Sequence, residues 1–124
     1  MSSQKLISIV HAFNDCINKQ DTKGLAALMA DNHCFIDRDG EAYGPKTSMV
    51  AGWKQFFKDF PDYRNTFEKE EVLDNLVAVR GYAYWTENEP YDPVIWTGTI
   101  EDGLISEWRI YADTPENRKE FNLV

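Results

Sequence analysis

Cysteine is scarce in this sequence, which carries only two thiols, at Cys16 and Cys34. Their spacing is far from a CxxC motif, which argues against a zinc site, a redox motif or a disulfide scaffold. Buried free thiols behave as small apolar side chains. We therefore expect both cysteines to be free and to pack with apolar neighbours.

Positive charge is also in short supply. Thirteen lysine and arginine residues stand against 21 aspartate and glutamate residues, which leaves a formal net charge of -8 at pH 7. A surface with this balance repels polyphosphates and anionic lipid headgroups over most of its area. We therefore expect neither nucleic acid nor a membrane surface among the partners of this protein.

Long apolar runs are missing as well. The longest run near the start, residues 6–10, is interrupted by Ser8. It is far shorter than a membrane span, and it lacks the pattern of a signal peptide. The sequence therefore predicts a cytoplasmic protein without a membrane-spanning segment.

Apolar residues are nevertheless present in the amounts that a folded core needs. Hydrophobic residues make up 43% of the chain and aromatic residues 14%, and both are spread along its length. Disordered segments are poor in both classes. Because a chain of 124 residues suffices for one core but not for two, we expect a single domain over residues 1–124, without repeats or linkers.

The first part of the chain has the apolar spacing of helices. Apolar residues recur every three or four positions over about residues 3–19, and Asp21 provides an N-cap for a shorter second helix. Pro45 then suits the first turn of a third helix, and Pro61 ends it. The apolar residues on one side of this third helix are Met49, Trp53, Phe56, Phe57 and Phe60.

The second part alternates with a period of two, as strands do. After a short first strand, "NHCFID", four segments rich in β-branched and aromatic residues predict strands over residues 63–73, 75–87, 93–101 and 104–113. A longer loop, "NEPYDP", follows the second of them, and a short helix begins near Pro115. This order predicts an α+β fold in which a curved antiparallel sheet wraps around three N-terminal helices and leaves a hollow.

The first strand places a carboxylate beside an aromatic ring. In "HCFIDRDG", residues 33–40, alternation puts His33, Phe35 and Asp37 on one face. Burial in apolar surroundings raises the pKa of a carboxyl group, whereas a neighbouring guanidinium lowers it. Asp37 and His33 are therefore candidate proton-transfer residues, although a histidine at this position also fits a structural role with its ring bonded to the backbone.

Four phrases of the sequence resemble the nuclear transport factor 2-like superfamily, and its SnoaL-like branch in particular. They are "INKQDTKGLAALMADNHCFID", "GPKTSMVAGWKQFFKDFPDYR", "VAVRGYAYW" and "DGLISEWRIYAD". The resemblance implies a conical α+β domain with a pocket at its wide end, paired into a homodimer through the outer face of the sheet. The superfamily includes isomerases, cyclases, epoxide hydrolases, dehydratases and members without chemistry, so the fold alone does not fix a reaction.

The resemblance also assigns roles to individual residues. Asp37 matches the position of the general base in the ketosteroid isomerases. The positions of the two oxyanion-hole donors of those enzymes hold Phe13 and Trp96, which lack the hydroxyl and carboxyl groups of that mechanism. Steroid isomerisation by that route is therefore not expected.

The register of the family further predicts how the last strand is oriented. Four polar residues would face the hollow, namely Glu107, Arg109, Tyr111 and Asp113. Trp108 and Ile110 would then face outward and anchor the homodimer. The alternative is a solvated row of charges on the outside of the sheet, with Trp108 and Ile110 in the core.

The aromatic residues near the predicted hollow divide into two groups. Trp53 and Trp96 would form walls suited to a flat, mostly apolar ligand. Phe56 and Phe60 lie at helical spacing, which is more typical of core residues than of ligand contacts. We therefore assign the two tryptophans to the pocket and the two phenylalanines to the core.

These residues lead to the hypothesis of a homodimer that binds a small, mostly apolar molecule and acts on it by acid-base chemistry. Asp37 would be the general acid or base, and Arg109 would pair with a pocket carboxylate and stabilise developing negative charge. His33 or Tyr111 would assist. Isomerisation, cyclisation and the addition or removal of water need proton transfer alone, and no cofactor or metal motif is found. The alternatives are a noncatalytic ligand-binding or dimerisation module and a protein-transport adaptor.

Overall fold

The computed structural model describes residues 1–86 and 92–124, where four helices and six strands follow one another. The helices are α1 (Ser3–Lys19), α2 (Thr22–Leu28), α3 (Lys46–Asp59) and α4 (Pro115–Glu120). The strands are β1 (Met29–Ile36), β2 (Ala42–Tyr43), β3 (Arg64–Leu73), β4 (Leu76–Tyr84), β5 (Asp92–Glu101) and β6 (Leu104–Ala112). Position 87, predicted to end a strand, and positions 88–91 of the predicted loop lie outside the described residues.

Helix α1 buries one apolar stripe, as its sequence spacing predicts. Val10, Phe13 and Ile17 share this stripe, and none of them is exposed. At the start of the helix, the side-chain oxygen of Ser2 accepts a hydrogen bond from the backbone N–H of Lys5 at 3.2 Å. Within the described residues, no helix combines the length and the apolar character needed to cross a membrane.

The strands form one open, curved sheet in the order β2-β1-β6-β5-β4-β3. The neighbours from β3 to β6 are antiparallel, whereas β1 runs parallel to β6, and β2 is a short strand within a segment predicted as a turn. Register shifts interrupt the β1–β6, β3–β4 and β5–β6 ladders, and such bulges bend strands. The predicted α+β architecture is confirmed, with a mixed sheet in place of a wholly antiparallel one.

Alternation along the central strands separates two faces of the sheet. The concave face meets the N-terminal helices, and Trp96 and Trp108 belong to the core on that side. On the convex face, Ile95 packs with Phe121 and Leu123, which follow α4. β4, β5 and β6 therefore contribute to two separate apolar clusters, and only the concave one includes the first three helices.

Candidate functional site

A cavity of about 1010 Å³ opens between α3, the β1–β2 hairpin and the concave face of the sheet. All four tryptophans of the chain line it, and they come from α3, from the segment after β4, from β5 and from β6. Trp53, Trp96 and Trp108 are at most 7% exposed. The inner wall of the cavity is therefore largely aromatic.

The mouth of the cavity carries its charged groups. Asp37, Arg38 and Asp39 come from the hairpin between β1 and β2, and Asp92 is the first residue of β5. The Arg38 guanidinium donates from Nη2 to Oδ2 of Asp92 at 2.7 Å and from Nη1 to Oδ1 at 3.4 Å. Two parallel bonds orient an arginine better than a single contact does. This ion pair therefore joins the hairpin to β5 at the mouth.

The Asp37 carboxylate is held by its own hairpin. Its Oδ1 accepts hydrogen bonds from the backbone N–H groups of Asp39 at 2.9 Å and Glu41 at 3.0 Å. Its Oδ2 accepts a longer bond, 3.4 Å, from the Tyr43 hydroxyl. The negative charge of Asp37 in turn raises the pKa of the Tyr43 phenol. Asp37 therefore organises the turn and also presents a carboxylate to the cavity.

Two further polar residues lie in the cavity wall, one just before β3 and one within it. Tyr63 is 7% exposed and Asn65 is 2% exposed. Burial raises the pKa of the Tyr63 phenol, and a hydrogen bond from Asn65 offsets only part of this effect. Tyr63 therefore stays protonated at neutral pH and is able to donate a hydrogen bond to an oxygen atom in the cavity.

Helix α1 fixes the backbone of Asn65. The Asn65 N–H donates to Oδ1 of Asn18 at 2.8 Å, and the Asn65 carbonyl accepts from the side-chain amides of Asn18 at 2.9 Å and Asn14 at 3.3 Å. Within the described residues, neither the buried Oδ1 of Asn65 nor the buried Nε1 of Trp53 has a hydrogen-bond partner. Because buried polar atoms are usually paired, these two atoms mark distinct polar positions in an apolar wall.

Three of the predicted site residues line the cavity, namely Asp37, Trp53 and Trp96. His33 is fully buried behind it, where its Nδ1 bonds to the carbonyl oxygen of Ile105 at 2.8 Å. Burial lowers the pKa of the His33 imidazole, and the backbone hydrogen bond opposes this less strongly. This placement fits the structural role considered for a histidine at this position.

The predicted orientation of the last strand is wrong. Trp108 and Ile110 line the cavity, so that the alternate residues Glu107, Arg109 and Tyr111 lie on the convex face. Trp108 is 1% exposed and cannot serve as the outward anchor of a dimer. The alternative in which Trp108 and Ile110 face the core describes the strand correctly.

The neighbours of Trp108 explain this orientation. In the parallel ladder, Trp108 of β6 lies beside Phe35 of β1, which also lines the cavity. The Trp108 ring packs against Phe13 of α1, with 4.7 Å between the ring centroids. The free energy gained by burying this large indole outweighs any preference for directing the polar side chains of β6 inward.

Arg109 does not pair with a carboxylate in the cavity, although the sequence predicted a pair with Glu107, Asp37 or Asp113. The Arg109 guanidinium lies on the convex face, 4.7 Å from the centre of the Tyr111 ring. Asp113 accepts hydrogen bonds from Nε of Arg118 in α4 at 2.5 Å and from Nη2 at 2.8 Å. The structure therefore does not bring Arg109 and Asp113 together with Asp37 in the cavity.

The two phenylalanines assigned to the core have different positions. Phe56 lines the cavity, where its ring lies 4.8 Å from that of Tyr63. Phe60 follows the end of α3 and is 38% exposed, so its assignment to the core is wrong. The Phe60 ring packs against the ring of Trp85, with 5.1 Å between the two ring centroids.

Sequence reasoning missed most of the polar residues of the cavity, among them Arg38, Tyr63, Asn65 and Asp92. Tyr63 and Asn65 carried a usable signal, because a period of two places them on one face of the predicted strand. Arg38 did not, since strand alternation directs it away from Asp37. β1 ends at Ile36, and the turn that follows brings both side chains to the cavity.

Comparison with known proteins agrees with this architecture. A family model described as the SnoaL-like domain matches residues 10–108. An uncharacterized cystatin-fold protein from Novosphingobium aromaticivorans has a TM-score of 0.76 at 17% identity, over 85% of this chain and 96% of that chain. No curated protein matches the sequence.

Two other solved structures with the same fold have names that indicate an activity. A candidate polyketide cyclase from Sinorhizobium meliloti has a TM-score of 0.75 at 21% identity, over 89% of this chain and 99% of that chain. An LEH-like epoxide hydrolase of M. tuberculosis has a TM-score of 0.77 at 14% identity, over 97% of this chain and 91% of that chain. Identities this low show a shared fold and leave the chemistry open.

Proposed function

Because the chain belongs to the SnoaL-like domain family, we propose that it binds a small, mostly apolar molecule in the cavity of its cone. One observation carries the proposal: a cavity of about 1010 Å³ is walled by every tryptophan of the chain. Ligand pockets are typically lined by aromatic and other apolar side chains with a few fixed polar groups, which describes this cavity. A similarity in fold to an epoxide hydrolase and a candidate polyketide cyclase also supports a role with small molecules.

Binding is tested with the neutral dye N-phenylnaphthylamine, whose fluorescence rises in apolar surroundings. Gly52 of α3 lines the mouth, and a Cβ atom added there meets nothing within 4 Å. Gly52→Trp therefore fills the mouth without displacing backbone, whereas Gly52→Ala adds only a methyl group. We expect the dye to bind saturably to the wild type and to Gly52→Ala. It should bind Gly52→Trp roughly tenfold or more weakly, because the new indole would keep one ring of the dye from being buried in the cavity.

Circular dichroism and thermal unfolding serve as controls for this pair of variants. Both replace a glycine within a helix, so both should be at least as stable as the wild type. If Gly52→Trp folds and binds the dye as tightly as Gly52→Ala does, the dye lies elsewhere and the cavity is not the binding site. Absence of saturable binding to the wild type would count against the proposed function itself.

Acid-base catalysis is the second candidate function, and the polar groups at the mouth favour it. The Asp37 carboxylate at the mouth is the candidate proton acceptor, since both oxygens of Asp92 are bound by Arg38, and the buried Tyr63 phenol stays protonated as a donor. With Arg109 on the convex face, Tyr63 takes the position of the group that would stabilise negative charge on a ligand oxygen. The noncatalytic binding module is the competing possibility.

Exchange of deuterium from the methyl group of acetylnaphthalene separates these two possibilities. This reaction needs only proton abstraction next to a carbonyl, and NMR follows it without knowledge of the natural substrate. A catalytic Asp37 predicts exchange that is faster with the wild type than with Asp37→Asn, which retains a side-chain oxygen for the turn. Equal exchange with both proteins, while the ketone is bound, would favour the noncatalytic module.

The homodimer stays a prediction, but with other residues at its interface. Because Phe35 and Trp108 face inward, the half-buried side chains of Ile36 and Arg109 are the ones available on the convex face beside β1. A charge at Ile36 would disrupt an apolar contact between two copies. Sedimentation should then show a smaller species for Ile36→Glu than for the wild type. A monomeric wild type would exclude the dimer.

We also propose that the protein is cytoplasmic and that residues 1–124 form a single domain. Cys16 and Cys34 are both free thiols, which suits a reducing compartment. Fractionation of cells that express a tagged chain tests the location. Limited proteolysis tests the domain, since a single domain should yield no stable fragment much shorter than the chain.

A further inference from the structure

An ion pair crosses the concave face of the sheet at the mouth of the cavity. Its two residues come from strands that are not neighbours, since Arg38 lies two residues beyond β1 and Asp92 is the first residue of β5. Both line the cavity, and strand β6 lies between β1 and β5 in the sheet. Because neighbouring strands are about 5 Å apart, the pair spans about 10 Å in front of the end of β6.

The hairpin that carries Arg38 is a compact unit at the edge of the sheet. Its second strand, β2, has two residues and is the edge strand. The turn is closed by its own bonds: the Asp37 carbonyl accepts from the N–H of Gly40 at 3.0 Å, and the Asp37 N–H donates to the carbonyl of Glu41 at 2.9 Å. An edge unit of this kind moves more easily than a central strand does. The bond from Arg38 to Asp92 ties it to β5.

The electrostatic balance of the mouth depends on one guanidinium. Among the described lining residues, three carboxylates, those of Asp37, Asp39 and Asp92, stand against the guanidinium of Arg38. While it is bound to Asp92, it attracts the hairpin toward β5; once it is released, the carboxylates on the two sides repel each other. The side chains of Arg38 and Asp92 are 41% and 29% exposed. Ion pairs with this exposure are weak and are screened by salt, so this pair is able to open and close.

From this geometry we propose that the Arg38–Asp92 pair is an ionic strap that controls passage through the mouth of the cavity. With the pair formed, the hairpin is held toward β5 and the mouth is narrow. With the pair broken, the hairpin moves away from β5 and the mouth widens. The inference rests on the proposed binding function where it concerns a ligand, whereas the opening of the mouth is measurable in the free protein.

The tryptophans report on the mouth without any ligand. All four of them line the cavity, so quenching of their fluorescence by acrylamide, a small neutral molecule, measures access to the interior. We expect quenching to be at least about 1.5-fold stronger in Arg38→Gln than in the wild type, which is the smallest effect typical of an exposed ion pair.

Arg64→Gln is the matched control for this substitution. Asn65 lines the cavity, so alternation places Arg64 on the convex face, where its guanidinium lies 4.4 Å from the centre of the Tyr84 ring. The change in net charge is the same as in Arg38→Gln. Quenching in Arg64→Gln should therefore equal that in the wild type.

Salt separates the ion pair from other effects of the substitution. Raising sodium chloride from about 0.02 M to about 0.5 M should increase quenching in the wild type toward the value of Arg38→Gln, because salt screens the pair. Quenching in Arg38→Gln should change little, since this variant has no pair to screen. Arg38→Lys keeps the positive charge and should keep the salt dependence.

Stopped-flow measurements with N-phenylnaphthylamine test whether the strap controls a ligand. The dye is neutral, so the charge of the mouth does not steer it. We expect the dye to enter and leave Arg38→Gln about 1.5- to fivefold faster than the wild type, while the dissociation constant changes less than either rate. Asp92→Asn should also accelerate both rates, although it changes the charge of the mouth in the opposite sense.

Circular dichroism shows whether each variant is folded. If Arg38→Gln and Asp92→Asn change the rates in opposite directions, the net charge of the mouth is responsible and the strap is excluded. If quenching and rates in both variants equal those of the wild type while the dye binds saturably, the inference is overturned and the proposed function stands. If the dye does not bind, the proposed function fails, and acrylamide quenching alone shows whether the pair controls access to the cavity.

Discussion

The concave and convex faces of the sheet differ in how they are covered. On the concave face, the first helices fill the core but leave a cavity of about 1010 Å³ at the wide end. On the convex face, Phe121 and Leu123 lie directly on Ile95 and Ala78, and Arg80 donates a hydrogen bond to the carbonyl of Leu123 at 2.9 Å. The concave face of the sheet therefore borders a cavity, whereas the convex face is covered at this point by the C-terminal residues of the chain.

Strand β6 shows this difference within consecutive residues. Trp108 is a wall of the cavity, whereas Arg109 lies over the ring of Tyr111 on the opposite side. A residue on the concave face affects both the stability of the core and the shape of the cavity. A residue on the convex face affects stability, and at Ile36 and Arg109 the proposed dimer, without forming part of the cavity wall. Substitutions on the two faces should therefore separate folding from binding.

The largest effect is expected for Trp108→Ala. This indole is 1% exposed and packs against Phe13, so its removal should lower the free energy of unfolding by about 3 kcal/mol. Urea denaturation measures the loss, and dye titration should show weaker binding in the same variant. Arg109→Ala is the control on the other face, with an expected loss below about 1 kcal/mol. Similar losses for both would contradict the assignment of the two faces.

The second largest effect is expected on the convex face. Leu123 is fully buried although it is the penultimate residue, so Leu123→Ala should lower the free energy of unfolding by about 2 kcal/mol. The affinity for N-phenylnaphthylamine should not change, because the cavity lies on the other side of the sheet. Val124→Ala, at a position that is 78% exposed, should leave stability unchanged. A change in dye affinity for Leu123→Ala would show that the two faces are coupled.

The local parts of this fold were predictable from the sequence. The apolar spacing gave α1 with the bounds that the structure has, and Asp21 caps α2 through a bond of 2.9 Å from the N–H of Gly24 to its Oδ1. Both depend on residues three or four positions apart. The resemblance to the SnoaL-like family is likewise confirmed, by a match over residues 10–108.

The orientation of β6 and the polar part of the cavity were not predictable in this way. Alternation divides Trp108 and Arg109 between two faces, but it does not say which face meets the helices. That depends on the parallel pairing of β6 with β1, which joins distant parts of the chain. The bond between Arg38 and Asp92 is also a long-range contact, and no local pattern in the sequence indicates it.

The third prediction concerns pH and the interior of the concave face. The pKa of His33 is lowered by burial from its ordinary value of 6.5, so the folded protein binds its proton less readily than the unfolded chain does. The contribution of neutral His33 to the free energy of unfolding should therefore be complete above about pH 6.5. Below this pH it should decrease, by at most about 1.4 kcal/mol per pH unit, until the pH falls below the pKa of His33 in the folded protein. Urea denaturation between about pH 7 and pH 5 measures this slope.

His33→Asn provides the matched comparison for this slope. The asparagine amide is able to donate to the carbonyl of Ile105 in place of Nδ1, but it does not titrate. The carboxylates of the chain are common to both proteins, so the difference between the two curves reports His33 alone. A variant that loses stability with pH as steeply as the wild type would show that His33 is not the group responsible.

The smallest effect is expected at the hairpin that forms the mouth of the concave face. Asp37→Ala removes the acceptor for the N–H groups of Asp39 and Glu41 and should lower the free energy of unfolding by about 0.5 to 1 kcal/mol. Asp37→Asn keeps an oxygen at this position, so its stability should stay close to that of the wild type. Because the asparagine lacks the negative charge, it should also bind anilinonaphthalene sulfonate more tightly than the wild type does. Equal destabilisation by both substitutions would mean that the hairpin depends on the negative charge of Asp37 and not only on its oxygen atom. The same charge would then stabilise the turn and repel anionic ligands at the mouth.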